Sequence, residues 1–227
     1  MAPIPGYLEI ARKRTFAGAL DWPGWCRSGR DEAEALATLV AYGPRYARVV
    51  GGVAPQFEPP ADVSAIEIVE RLTGNSGTDF GVPAVPATSD SQPLDSAELE
   101  RLIGLLQAAW GGFDTAAEGV SGMELRKGPR GGGRDRDRMI APVLGGEQAY
   151  LRELGGTLPK MADSDIQPQL IAVRDTAIRM LRARAAGDEP TVGPRRTRPF
   201  WSLRYFVRYS AWHAPDHAWE IEDRVIR

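Results

Sequence analysis

Apolar positions in the first third of the chain recur mostly with the period of a strand. Tyr7, Leu8, Ile10, Phe16 and Leu20 flank the basic cluster Arg12-Lys13-Arg14, and this partial alternation predicts one or two strands. Asp21-Trp22-Pro23-Gly24 reads as a turn, because proline presets φ and glycine is free to take φ > 0; residues 25–27 are then a short returning strand broken by Gly29. Asp31 is placed to cap a helix, with Glu32 and Glu34 favourable in its first turn. Leu36, Leu39, Val40 and Tyr42 follow at helical spacing, which carries the helix to about Val50 across Gly43-Pro44. A further strand is expected over residues 63–72, ended by Gly74-Asn75-Ser76-Gly77.

Residues 81–93 contain Pro83, Pro86 and Pro93, which remove donors and restrict their neighbours, so no continuous helix or ladder is expected there. This places a boundary between a small α/β part, residues 1–86, and a helical part, residues 90–227. In the latter, Asp95 or Ser96 caps a run through Leu99, Leu102, Ile103, Leu106 and Trp110. A glycine-rich basic loop, residues 127–134, leads to a second run over 135–154; a third spans about 165–186, and a last one about 200–225 after Pro190, Pro194 and Pro199. Four helices joined by loops predict a helical bundle, and the whole chain an α+β fold.

Composition narrows the classes of function. In 227 residues, 43% are hydrophobic and 26% charged, the balance of a globular protein. Lys and Arg number 28 against 30 Asp and Glu; residues 1–88 hold 8 basic and 10 acidic side chains and the remainder 20 of each. Neither half is a basic module, so no nucleic-acid partner is expected. Cys26 is the one cysteine, which excludes an internal disulfide and a multi-thiolate zinc site. No stretch approaches a membrane span, and the expected setting is cytoplasmic, with no membrane partner.

The chain's two histidines, His213 and His217, stand one turn apart on the last predicted helix. At about 100° per residue, Trp201, Tyr205, Tyr209, Trp212 and Trp219 form one stripe. His213, His217 and Glu220 cluster beside it, and Arg204, Arg208 and Glu222 fall on the far side. Two imidazoles at i and i+4 can share an ion; the alternative is a pair of core histidines satisfied by hydrogen bonds, or a helix-end pair balancing nearby acids. Pro215 between them removes one helical hydrogen bond. Trp22 and Trp25 are expected to pack rather than bind, Cys26 to be inert, and the clusters 195–198 and 126–130 to be solvated loops, although either could meet a phosphate or carboxylate.

Two segments carry a resemblance. Arg134-Asp-Arg-Asp-Arg-Met-Ile-Ala-Pro-Val-Leu-Gly-Gly-Glu-Gln-Ala-Tyr150, with Ala211-Trp-His-Ala-Pro-Asp-His-Ala-Trp-Glu220, resembles the DinB/YfiT-like superfamily of metalloenzymes over about residues 90–227. The resemblance implies a four-helix bundle holding a divalent metal, zinc or nickel, through three histidines, and thiol-dependent transferase or isomerase chemistry with bacillithiol- or mycothiol-type cofactors. His213 and His217 match the H-x-x-x-H half of that site. Pro142 stands where the resemblance places the first histidine, so the implied site is incomplete, and two imidazoles with waters hold zinc weakly. Phe16-x-x-x-Leu20-Asp21-x-Pro23-Gly24-x-x-x-x-Gly29-x-Asp31-Glu32-x-x-Ala35-Leu36 resembles the strand, turn and helix of HicB-like domains.

The expectation is therefore a DinB-like bundle that binds a small-molecule ligand between its helices. Its metal would lower the pKa of a bound thiol or water. The rival expectation is a non-catalytic binding, sequestering or interaction protein of the same fold that has lost its metal. An antitoxin-type regulator, the third, would call for a toxin partner or a DNA-binding element. A homodimer is left open.

Overall fold

A computed structural model describes residues 3–126, 136–158, 166–190 and 198–226, with the backbone alone for 136–139. The fold is mixed α and β, with one four-stranded sheet and six helices among the described residues. Strand β1 (Ile4–Ile10) pairs antiparallel with β2 (Thr15–Ala19), β2 pairs antiparallel with β3 (Cys26–Gly29), and β4 (Ile66–Thr73) lies parallel to β1 on its other side, giving the order β3-β2-β1-β4. Gly29 closes β3 rather than following it. The β2–β3 turn needs Gly24 at φ 96°, and a Cβ there would meet the Ala211 carbonyl oxygen at 2.8 Å. The turn can therefore lie directly against the last helix.

Helix α1 (Glu32–Val50) is capped by Asp31, whose side chain accepts from the Glu34 amide, and it runs through Pro44. Leu39, Tyr46 and Val50 on its inner face bury against Leu8, Ala17 and Trp25. Trp25 is entirely buried and donates Nε1–H to the Leu39 carbonyl at 2.8 Å, while Trp22 packs edge-on to Phe57. Both tryptophans act as packing residues.

After β4 the chain makes a short helix that the glycine-rich sequence concealed. Asn75 caps α2 (Ser76–Phe80), and Thr78 returns the bond to the Asn75 amide. Residues 81–93 then cross the sheet with only a 3-10 turn, Thr88–Ser91, and side chains hold them there. Glu9 on β1 accepts from Thr78 Oγ1 and from the Ala84 and Val85 amides, and Glu70 on β4 accepts from the Thr88 amide and hydroxyl. Proline left few backbone partners for this segment, and the buried Glu9 carboxylate and the partly exposed Glu70 carboxylate supply them.

Beyond the crossing come α3 (Ser96–Gly119), capped by Asp95, then α4 (Arg136–Glu153), α5 (Ile166–Ala185) and α6 (Leu203–Arg224), capped by Ser202. They share one apolar core that includes Leu106, Phe113, Val143, Leu170, Leu181 and Phe206. Leu105 and Trp219 leave that set and join the core under the sheet, so the two parts of the chain pack through side chains of α3 and α6. The expected basic loop 127–134 and residues 195–197 of the second basic cluster lie outside the described residues. No helix of the described residues is long and apolar enough to cross a membrane.

Arg208, on the side of α6 opposite the histidines, is buried. It is 5% exposed and its guanidinium is inserted between the two parts, pairing with Asp90 and donating to Tyr7 Oη at 2.7 Å and to the Val85 carbonyl at 3.2 Å. The helical wheel placed it correctly opposite the histidines. That side is covered by the crossing segment, a layer the wheel does not contain.

Candidate functional site

Helix α6 carries the candidate chemistry. Residues 213 and 217 stand one turn apart, and both side chains line a cleft of about 710 Å³, a volume suited to a small organic ligand. Pro142 and Tyr150 of α4 form one wall; Phe16, Arg27 and Ser28 of the β2–β3 hairpin form the other. The cleft is thus shared between the helical part and the sheet. Pro215, between the two histidines, is accommodated inside the helix and buried.

The His213 ring lies edge-on to Tyr150, 5.2 Å between centroids, and to His217, 4.7 Å. Gly146 makes this approach feasible, because a Cβ there would fall 2.8 Å from His213 Cε1. Burial, with His217 beside it, pushes the His213 pKa down to about 3, so this imidazole is neutral near neutral pH. Its Nδ1 is closed to solvent and has no hydrogen-bond partner among the described residues.

His217 is partly exposed and stands with Nδ1 3.6 Å from Glu220 Oε2, while the other oxygen of Glu220 is paired with Arg224. Glu220 therefore belongs to an ion pair at the helix end. Among the described residues no group of three or more His, Cys, Asp or Glu could hold a metal ion.

The sheet side of the cleft is cationic. Arg27 donates from Nη1 to Asp216 Oδ1 at 2.7 Å, and its guanidinium lies 4.1 Å from the centroid of Tyr42 and 5.3 Å from that of Trp219. Arg14 donates to Ser28 Oγ at 3.0 Å. Cys26 faces the same cavity beside Tyr7, Sγ to Oη 3.5 Å, and burial pushes its thiol up to about 12. A thiol so far from ionising is no nucleophile.

Sequence spacing brought out His213 and His217, and the family resemblance pointed to Pro142; all three line the cleft. It did not bring out Arg27 or Tyr150 as site residues. Arg27 is one position in a four-residue strand, and the acid that orients it, Asp216, is 189 residues away. No family model, no curated protein and no solved structure matches the chain.

Proposed function

We propose that this chain is a DinB-like helical-bundle protein that binds a small molecule in the cleft above α6, with a histidine site that is incomplete as a metal centre. The observation that carries the reading is the convergence of His213, His217 and Pro142 on one cavity of ligand size. Two imidazoles fall short of the three or four protein ligands of a durable zinc site. The residues present therefore do not fit a resident zinc or nickel ion. Binding rests on the cleft's own polar and aromatic side chains.

A non-catalytic binding or sequestering role is favoured over thiol transfer by one feature: Pro142 offers no ligand where the family resemblance expects one. The near balance of charge supports a role without a nucleic-acid partner.

Restoring the missing donor tests this reading. Pro142 lies inside α4 and lines the cleft, so Pro142→His is expected to raise zinc affinity by about tenfold or more, the scale of one added ligand in a shielded site. Elemental analysis of purified wild type should give well under one zinc or nickel per chain, and Pro142→His should give more. Stoichiometric metal in wild type that is lost in His217→Ala would replace this reading with an intact metalloenzyme. Because the substitution also restores a backbone N–H, a gain in stability without a gain in metal counts against it.

A further inference from the structure

Every carboxylate that lines the histidine cleft already has a cation. Asp216 pairs with Arg27, Glu220 with Arg224 and Asp223 with Arg45. Two further guanidiniums reach the lining, Arg14 held by Ser28 Oγ at 3.0 Å and Arg126 by the Asp223 carbonyl oxygen at 2.7 Å. Both are at least partly open to water, which screens them. The His213 imidazole adds no charge near neutral pH. Among the described residues, the cleft therefore holds no buried charge that calls for a counter-ion from a ligand.

Its inner corner does offer a hydrogen bond. His213 Nδ1 is closed to solvent, but Nε2 is not, and Nε2 makes no hydrogen bond among the described residues. A Cβ on Gly146 would stand 3.3 Å from Nε2 and 3.1 Å from Tyr150 Oη, so these two atoms border the same spot beside α4. Nε2 donates or accepts according to the tautomer, and a hydroxyl group meets it in either case.

The mouth of the cleft is apolar. Phe80 of α2 and Pro142 of α4 both line it and both are exposed. Phe80, at 67%, is the most exposed large hydrophobic side chain among the described residues. It is also held in place, because Thr78 donates to the buried Glu9 and Asp79 Oδ1 accepts from the Lys13 amide at 2.7 Å. A lone exposed phenylalanine is ordinary on a surface, whereas one that lines a cavity of ligand size offers its face to an apolar body.

From this arrangement we infer that the ligand of the cleft is uncharged, a flat apolar body bearing one hydroxyl or similar group that meets His213 Nε2 while the body packs on Phe80. The inference rests on the binding function proposed for the same cleft.

Phenol is the probe, with toluene as the same ring lacking the hydroxyl and benzoate as its charged counterpart. The chain has two histidines, so His217→Ala assigns both imidazole spectra in the full chain. Phenol is expected to shift the His213 ring and to bind about fivefold more tightly than toluene, the worth of one neutral hydrogen bond. Benzoate is expected to bind more weakly than phenol. Phe80→Ala, at an exposed position, should leave thermal unfolding unchanged and weaken phenol and toluene alike by about fivefold. Benzoate binding as tightly as phenol, or phenol and toluene binding equally with the His213 ring unmoved, would overturn the inference and leave a small-molecule cleft standing. Phenol binding unchanged in Phe80→Ala would overturn the seat at the mouth. Failure of all three probes at millimolar concentration would overturn the inference and count against the cleft reading as well.

Discussion

Replacing Arg208 by methionine is expected to lower the unfolding free energy by about 3–5 kcal/mol, the cost of stranding one partner of a buried ion pair. Arg208 and Asp90 each have about 6% of their side chains exposed. Removing the guanidinium leaves the Asp90 carboxylate buried with no cation, and it also strips the Tyr7 hydroxyl and the Val85 carbonyl of a donor. Burial opposes the charge on Arg208, yet the neighbouring Tyr7 and Asp90 raise its pKa above the ordinary value, so the cation is retained on folding. The loss is expected to be greatest where the crossing segment meets the sheet, with faster hydrogen exchange at Ala84 and Val85. Urea unfolding with amide exchange checks this. A variant within about 0.5 kcal/mol of wild type, the range of ordinary surface changes, would show that the pair does not hold the two parts together.

The second large effect is expected at Arg174→Leu. Arg174 on α5 donates to both oxygens of Glu147 on α4, each at 2.9 Å, and to both oxygens of Asp114 on α3 at 2.8 Å. One guanidinium thus ties three helices at their shared core, and its loss should cost about 3–5 kcal/mol. Burial already pushes the Glu147 carboxyl above the usual carboxylate range despite the arginine. Without the arginine that rise grows. A carboxyl whose folded pKa is raised favours the folded state most where it is protonated, and that contribution fades as pH rises through the folded pKa. The deficit of Arg174→Leu should therefore shrink on acidification from about pH 8 to about pH 5. Paired urea titrations at the two pH values measure it, and a deficit that grows with acid would contradict the assignment of the buried charge to Glu147.

These two arginines also show where the sequence stops being informative. Local signals were legible because they act over a few residues: Asp31 and Asp95 cap helices, and Gly24 supplies the positive φ of its turn. Helices α3 to α6 were legible from apolar spacing, although no periodicity foretells which of them adjoin. The partner of Arg208 could not be read, because its acceptor, Asp90, lies 118 residues earlier in a proline-rich stretch with no repeating pattern. Glu9 likewise sits in an otherwise apolar strand, and its partners, Thr78, Ala84 and Val85, become visible only when the chain folds back over the sheet. Helix α2 was hidden because Gly74 and Gly77 resemble a plain turn, while the Asn75 and Thr78 caps that create it are short-range signals overlooked there. For the candidate site, the helical half was readable from the spacing of His213 and His217. The sheet half was not, since Arg27 and Ser28 reach the cleft through a tertiary approach.

His213 and His217 are proposed to share one ligand cleft without forming a complete metal centre. The chain contains only these two histidines, so an imidazole nitrogen NMR spectrum contains only two ring systems, which His217→Ala assigns. Titrating zinc into the wild-type protein while observing both rings is the direct measurement. Both imidazoles are expected to respond together, in fast exchange and with weak affinity. Stoichiometric binding in slow exchange, or a response at His217 with His213 unmoved, would contradict it.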